Sequence, residues 1–311
     1  MSSLALRSRL RFLWQWFDCW QGAEGMDEQP GVDWLRVSPF FLMHVACLAV
    51  VWVGWSPFAV GVAVLLYALR MFGITAGYHR LFSHGAFKTS RPMQTAIAVL
   101  GASAVQRGPL WWAAHHRHHH RHSDRPTDAH SPGDRGLWHS HVGWFLERRN
   151  FRTRLELVPD LARLPELRFL DRFSLLVPVL LALGLYGLGA WLEVAAPGLQ
   201  TTGPQLLVWG FVISTVVLYH GTFTINSLAH RFGKRVFATR DDSRNNVFLA
   251  LITLGEGWHN NHHFYPASAR QGFRWWELDL AYVGLRVLAR LGLVWDLRPV
   301  PARVMAARGR A

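Results

Sequence analysis

Three long stretches of this chain carry no charged side chain, and everything else is read against them. Val37 to Leu69 is uncharged, with Ser56-Pro57 interrupting it; Phe173 to Leu192 and Leu206 to Asn226 are uncharged throughout. A helix needs about 20 predominantly apolar residues to cross the hydrocarbon of a bilayer. The pattern predicts four spanning helices at 37–54, 58–78, 173–192 and 206–226, arranged as two helical hairpins. The fold class expected is all-α: an integral-membrane four-helix bundle with a helical cap.

Two shorter apolar runs, Met93–Gln106 and Val247–Leu254, are read as helices packed on the spans rather than through the membrane. A crossing at 93–106 would put His79 and His84 on the opposite face from His116, His119 and His120, where they could not share a site. Residues 37–300 then form one membrane domain. Residues 1–36 form an N-terminal interfacial segment, in which Leu4–Trp20 mixes Arg with Trp, Phe and Leu as an amphipathic helix would. Arg11, Gln15 and Asp18 interrupt Leu10–Trp20, so it does not read as a cleavable signal peptide. Residues 301–311 are expected to be a disordered tail.

Charge fixes an expected orientation. Formal net charge is +13, from 33 Lys and Arg against 20 Asp and Glu. The short connections Trp55–Pro57 and Glu193–Gln205 hold no Lys or Arg, whereas Arg80–Arg172 and Arg231–Ala311 are Arg-rich. Under the positive-inside rule both long segments, and both termini, are cytoplasmic. With half the chain hydrophobic, the basic balance reflects topology and not a nucleic-acid partner. Cys19 and Cys47 are the only cysteines, and Cys47 lies within the first apolar stretch, so no disulfide framework is expected.

The candidate chemistry lies in nine spaced histidines: His79 and His84; His116, His119 and His120; His230; and His259, His262 and His263. Spacing of i, i+3, i+4 puts side chains on one helix face. It occurs twice, about 140 residues apart in the chain. His79 and His84 are five apart and would diverge by about 140° on an ideal helix, so both can ligate only if the helix distorts or ends there. Nine imidazoles exceed one ordinary site and imply two metals in a common cage. Zinc prefers about four ligands, often thiolates, and calcium and magnesium prefer oxygen, so redox-active iron fits best. Asp124, Asp128, Glu256 and Asp242 are candidates to accept the second ring N–H of the ligands. His44 and His220 read as interior residues. A membrane metal-transport or storage protein is the reading from another class; it would need polar groups deep in the spans.

Four motifs carry a family resemblance. Gly73-Ile-Thr-Ala-Gly-Tyr-His79-Arg-Leu-Phe-Ser-His84, His116-Arg-His-His119-His120-Arg-His-Ser-Asp124, Asn226-Ser-Leu-Ala-His230 and Gly255-Glu-Gly-Trp-His259-Asn-Asn-His262-His263 resemble, in order and separation, the histidine boxes of the membrane fatty acyl-CoA desaturases of the stearoyl-CoA group. The resemblance implies a di-iron, O2-dependent enzyme that places a cis double bond, commonly at carbon 9, in a saturated C16–C18 acyl-CoA or another acyl carrier. It implies iron ligation by the nine histidines and a metal-bound water held by Asn226. It divides the ligands as His79, His84, His116, His120 and His263 for one iron, and His119, His230, His259 and His262 for the other. Gln106, Arg107, Trp112, Tyr67, Thr224 and Trp258, with Phe72, are candidate substrate contacts along an apolar tunnel. Ala114 and His115 stand where animal members carry a basic residue and an Asp. The chain lacks the His-Pro-Gly-Gly element of a fused cytochrome b5. A bacterial inner-membrane protein with a separate donor (a ferredoxin, a cytochrome b5-like protein or a flavoprotein reductase) is therefore expected. The nearest rival is a hydroxylase built on the same metal cage.

Overall fold

The computed structural model describes residues 14–26 and 31–307. Four helices in it are long and apolar enough to cross a membrane: α1 (Trp34–Val53), α2 (Pro57–Ser83), and, after the first part of the cap, α5 (Leu176–Ala195) and α6 (Gly203–His230). Between the hairpins come α3 (Arg91–Ala102) and α4 (Pro109–His122). After α6 come α7 (Val247–Ile252), α8 (His259–Phe264) and α9 (Leu280–Arg290). Strand β1 (Lys88–Thr89) pairs antiparallel with β2 (Val294–Trp295), joining the start of the cap to its end.

Local sequence accounts for the boundaries. Gly54, at φ 65°, ends α1. Ser56 then caps α2 by accepting from the Ala59 N–H, with Pro57 in the first turn. Ser90 caps α3 in the same way, through the Met93 N–H. The run expected to lie on the bundle at 93–106 is this helix. Its Gly101 backbone approaches α2 so closely that a Cβ on Gly73 would lie 2.8 Å from Gly101 N. Glycine is needed there for contact between backbones.

The spans are not as bare of charge as the sequence suggested. Arg70 lies within α2 and is 1% exposed. Its guanidinium donates to Thr215 Oγ1 (2.6 Å), Ser103 O (3.3 Å) and the Ser214 hydroxyl. One cation thus ties α2 to α6 and to the C-terminal end of α3. An intramembrane charge is tolerated where its hydrogen bonds are met inside the protein.

Two expectations about the ends need adjustment. Residues 1–13, and so most of the Leu4–Trp20 segment, lie outside the described residues. The tail expected to be disordered from residue 301 instead forms α10 (Ala302–Ala306), because Val304 is buried with Phe237 and Phe273. Burial of one apolar side chain orders this turn.

Replacing Arg70 by Met should leave the Thr215 hydroxyl without its Arg70 partner, at about 1–3 kcal/mol for an orphaned buried group, while Ser214 keeps its bond to Gly210 O. The expected result is a clearly lower midpoint of thermal unfolding in detergent, and an unchanged midpoint would contradict the network.

Candidate metal centre

Four elements bring the nine histidines together at the cap end of the bundle. The last turns of α2, Gly73–Ser83, are π-helical. That widened turn answers the spacing problem: His84 N donates to His79 O at 3.2 Å, so residues five apart stack on one face. The α4 helix supplies His116, His119 and His120, the end of α6 supplies His230, and α8 supplies His259, His262 and His263.

The rings fall into two groups. His79, His84, His116, His120 and His262 form one; His119, His230, His259 and His263 form the other; within each, all ligand atoms lie within 4.8 Å of one another. In the first group the Nε2–Nε2 separations are 2.8 Å for His84–His116 and 2.9 Å for both His79–His262 and His120–His262. In the second, His230 and His259 are 3.0 Å apart. The division inferred from family resemblance therefore needs one exchange: His262 belongs with the first group and His263 with the second. Helix geometry explains it, since neighbours in sequence are about 100° apart on an α-helix and i, i+4 pairs share a face. His116 and His120 face one group while His119 faces the other; on α8, His259 and His263 face the second group while His262 crosses to the first.

Buried carboxylates orient these rings. His119 Nδ1 lies 2.8 Å from Asp128, His230 Nδ1 2.8 Å from Asp124, and His263 Nδ1 2.8 Å from Asp241; His79 Nδ1 meets Glu256. A carboxylate accepts, so each Nδ1 carries the proton and each Nε2 turns a lone pair inward. Burial raises the pKa of Asp124, Asp128 and Asp241, but hydrogen bonds and charge from the imidazoles outweigh it and hold all three below their ordinary value. Three of the four carboxylates foreseen from sequence hold these positions. Asp242 does not: Asp241 takes His263, and Asp242 gives only its backbone N–H to Asp124. Arg80, Asp279 and Gln271 complete the support. Arg80 bridges Glu256 (3.1 Å) and Asp279 (3.0 Å), and Gln271 donates to Glu256 at 3.1 Å. Nothing in sequence spacing marks these three residues, since each acts across a long loop.

The donor set fits metal ions. Inward lone pairs facing one another at about 3 Å repel unless a cation lies among them, and His263 Nε2 is buried without a hydrogen-bond partner. His84, His116, His120, His259 and His262 are held well below 6.5, first by burial and then by neighbouring positive groups, and His263 is at about 4. All six are neutral donors at physiological pH.

A cavity of about 180 Å³ adjoins the first group, reaching His116 and Asn226 and bounded by Phe40, Val105, Phe145, Tyr219 and Phe223. Of the substrate contacts expected, Gln106, Arg107 and Trp112 line it. Tyr67, Thr224 and Trp258 are not among its lining; their polar atoms donate to the backbone of Ile252, Gly221 and Leu278. Phe72 packs against Gly284 of α9. Val105 (φ 60°) and Arg107 (φ 66°) are left-handed and place strain beside the cavity. The Arg107 guanidinium stacks 3.6 Å from the Phe151 ring centre and donates to Phe151 O at 2.9 Å. Burial lowers its pKa.

The sequence model of the fatty acid desaturase family matches residues 37–296. An sn-2 palmitoyl-lipid 9-desaturase of Nostoc sp. (strain 36) is 38% identical over 271 residues, 85% of this chain and 90% of that protein. An sn-1 stearoyl-lipid 9-desaturase of Anabaena variabilis is 35% identical, over 87% of this chain and 95% of its own. An acyl-CoA 5-desaturase of Anemone leveillei is 36% identical over 89% and 86%.

Two outcomes follow from the carboxylate shell and the buried rings. Asp241→Asn should weaken metal retention about 10–100-fold, read as metal content after dialysis against a chelator. His263 is at about 4 when folded and near 6.5 when unfolded, so between these values the unfolded chain binds more protons. This contribution to stability is whole above about pH 6.5 and lost as pH falls through 4. The unfolding midpoint of metal-free protein should drop across that window, and a flat profile would contradict the assignment.

Proposed function

The chain belongs to the fatty acid desaturase family, and we propose that it is an O2-dependent di-iron enzyme that places a cis double bond at carbon 9 of a saturated acyl chain. One observation carries this reading: two groups of imidazoles lie together, and the first adjoins a largely apolar cavity that reaches His116 and Asn226. The net reaction joins the acyl chain, O2, two electrons and two protons, and yields the alkene and two waters. When bound, the metals supply the oxidising power to break unactivated C–H bonds, which no amino-acid side chain provides.

The protein's own part is ligation and positioning. All nine histidines hold the two irons, in the grouping described above, and Asn226 faces the shared space to hold water. The walls of Phe40, Trp112, Tyr219 and Phe223 fix one methylene pair beside the centre and exclude bulk water. Gln106 and Arg107 stand at the polar side of the same cavity.

For the carrier, a glycerolipid is favoured. Relatives of similar length are named for palmitoyl-lipid and stearoyl-lipid substrates. Arg107 is buried with its guanidinium stacked on Phe151, away from a solvent-exposed position where a soluble carrier's phosphate would lie. Acyl-CoA is the second reading, favoured by the relatives named for acyl-CoA substrates. The centre and both termini face the cytoplasm, in a bacterial inner membrane. Electrons come from a separate carrier steered by the basic cap.

Expression in a host lacking unsaturated fatty acids should restore growth and yield a carbon-9 alkene by mass spectrometry of its lipids. His119→Ala and His262→Ala should each lower product about 100-fold or more, beyond the effect of losing a ligand's supporting partner. Product that gains an oxygen, instead of losing two hydrogens, would reassign the chain as a hydroxylase.

A further inference from the structure

The first span is held to the bundle unlike the other three. Across its apolar window only 6% of α1 is buried, against 39% for α2 and 61% for α6. Yet α1 forms one wall of the cavity through Arg36, Val37, Pro39 and Phe40, and α6 forms the facing wall through Tyr219 and Phe223. Phe40 meets these two rings at centroid distances of 5.7 and 6.4 Å. Among the described residues, the far side of this wall is open, with Leu42 and Val45 of α1 exposed.

Both ends of α1 are tied. At one end Asp33 N donates to Leu146 O, and at the other Gln205 Nε2 and Trp209 Nε1 donate to Val53 O and Gly54 O, each at 2.9 Å. Its middle is irregular on two sides. Pro39 cannot supply an N–H, so Leu35 O accepts instead from the Ser38 hydroxyl (2.7 Å) and Trp16 Nε1 (3.2 Å). Cys47–Ala49 tightens to a 3-10 turn. Such breaks are where helices bend.

Between them sits His44, the start of a chain of imidazoles that the metal centre does not use. His44 Nδ1 is 2.7 Å from Phe40 O, His44 Nε2 is 3.1 Å from His220 Nε2, His220 Nδ1 is 3.0 Å from His141 Nε2, and His141 Nδ1 is 2.9 Å from Ser227 Oγ. A carbonyl only accepts, so Phe40 O fixes the proton on His44 Nδ1. Each following ring then donates toward α1, and the chain ends at Ser227 Oγ, whose hydroxyl also donates to Phe223 O at 3.0 Å. The single link in it that joins α1 to α6 is His44–His220.

We propose that the crevice between α1 and α6 is a lateral doorway through which the acyl chain of a bilayer lipid reaches the cavity, with the His44–His220 hydrogen bond as its latch. The inference rests on the reading that the substrate is a membrane-borne acyl chain. Outward bowing of α1 between Pro39 and Cys47 breaks that one bond and parts Phe40 from Tyr219 and Phe223, while the tied ends stay in place.

The test uses His44→Cys/His220→Cys in a Cys19→Ala/Cys47→Ala chain, reconstituted in phosphatidylcholine vesicles that contain a phospholipid with a diazirine on its acyl chain. The two thiols are bridged by a short bifunctional methanethiosulfonate and released by dithiothreitol. Photolabelling of the 219–226 peptide, read by mass spectrometry, should fall at least 10-fold on bridging and return on reduction. His44→Leu, which removes the latch, should label at least 3-fold faster than the native residue. Equal labelling of bridged and reduced protein overturns the doorway, and so does failure of the two thiols to bridge. Desaturation of the same lipid is scored separately: labelling without turnover rejects the lipid-carrier reading and leaves the doorway standing.

Discussion

The structure depends on holding nine imidazole nitrogens with their lone pairs inward, in a space sealed from water. Neutral rings are the only form that can pack this way, because nine charged ones could not be buried together. Burial pushes His84, His116, His120, His259, His262 and His263 toward the neutral form. The carboxylates then choose the tautomer: Asp124, Asp128, Asp241 and Glu256 each accept from one Nδ1 and leave the matching Nε2 free. Each of these anions is itself compensated. Arg80 answers Glu256, while Asp124 takes a backbone N–H from Asp242 and the Ser131 hydroxyl. The shell is a closed set of pairings around an electron-rich centre.

Helix periodicity decides how that centre divides. Two helices bearing the same i, i+3, i+4 triplet lie against each other, and each gives two rings to one group and one to the other. Residues from both helices are therefore interleaved, so neither metal group can form from one helix alone. The π-helical end of α2 is the price of adding His79 and His84 to the same face. It is stabilised from outside, by burial of the whole segment from Gly73 to Ser83.

The spans and the clustering of the nine histidines were legible because each rests on a local rule: uncharged length for the spans, spacing on one face for the rings. The places where reading stopped are equally physical. Asp241 could not be told from Asp242, since adjacent loop residues differ only in where the backbone turns them. His262 and His263 were exchanged because assigning adjacent rings requires the rotational setting of α8, which only packing fixes. Arg70 escaped notice as a single charge just past an uncharged run, although it ties α2 to α6. Tyr67, Thr224 and Trp258 are plausible wall residues by type, but their polar atoms are committed to carbonyls on other turns.

The same economy separates the rigid parts of the molecule from the yielding one. Elements that hold metal ligands are buried deeply and cross-linked by ions: α2 by Arg70 and Arg80, α6 by Arg70 and by His230 with Asp124. A ligand displaced by a fraction of a bond length would lose its metal, so these helices tolerate little motion. The first span carries none of the clustered histidines and is 6% buried across its apolar window, so its displacement need not move them. Low local burial is where proteins open first. On the proposed function, a hydrophobic substrate would pass from lipid into a cavity beside the clustered histidines. The fold meets both demands by placing the cavity between a fixed wall, α6, and a lightly held one, α1, and by joining them through the His44–His220 hydrogen bond.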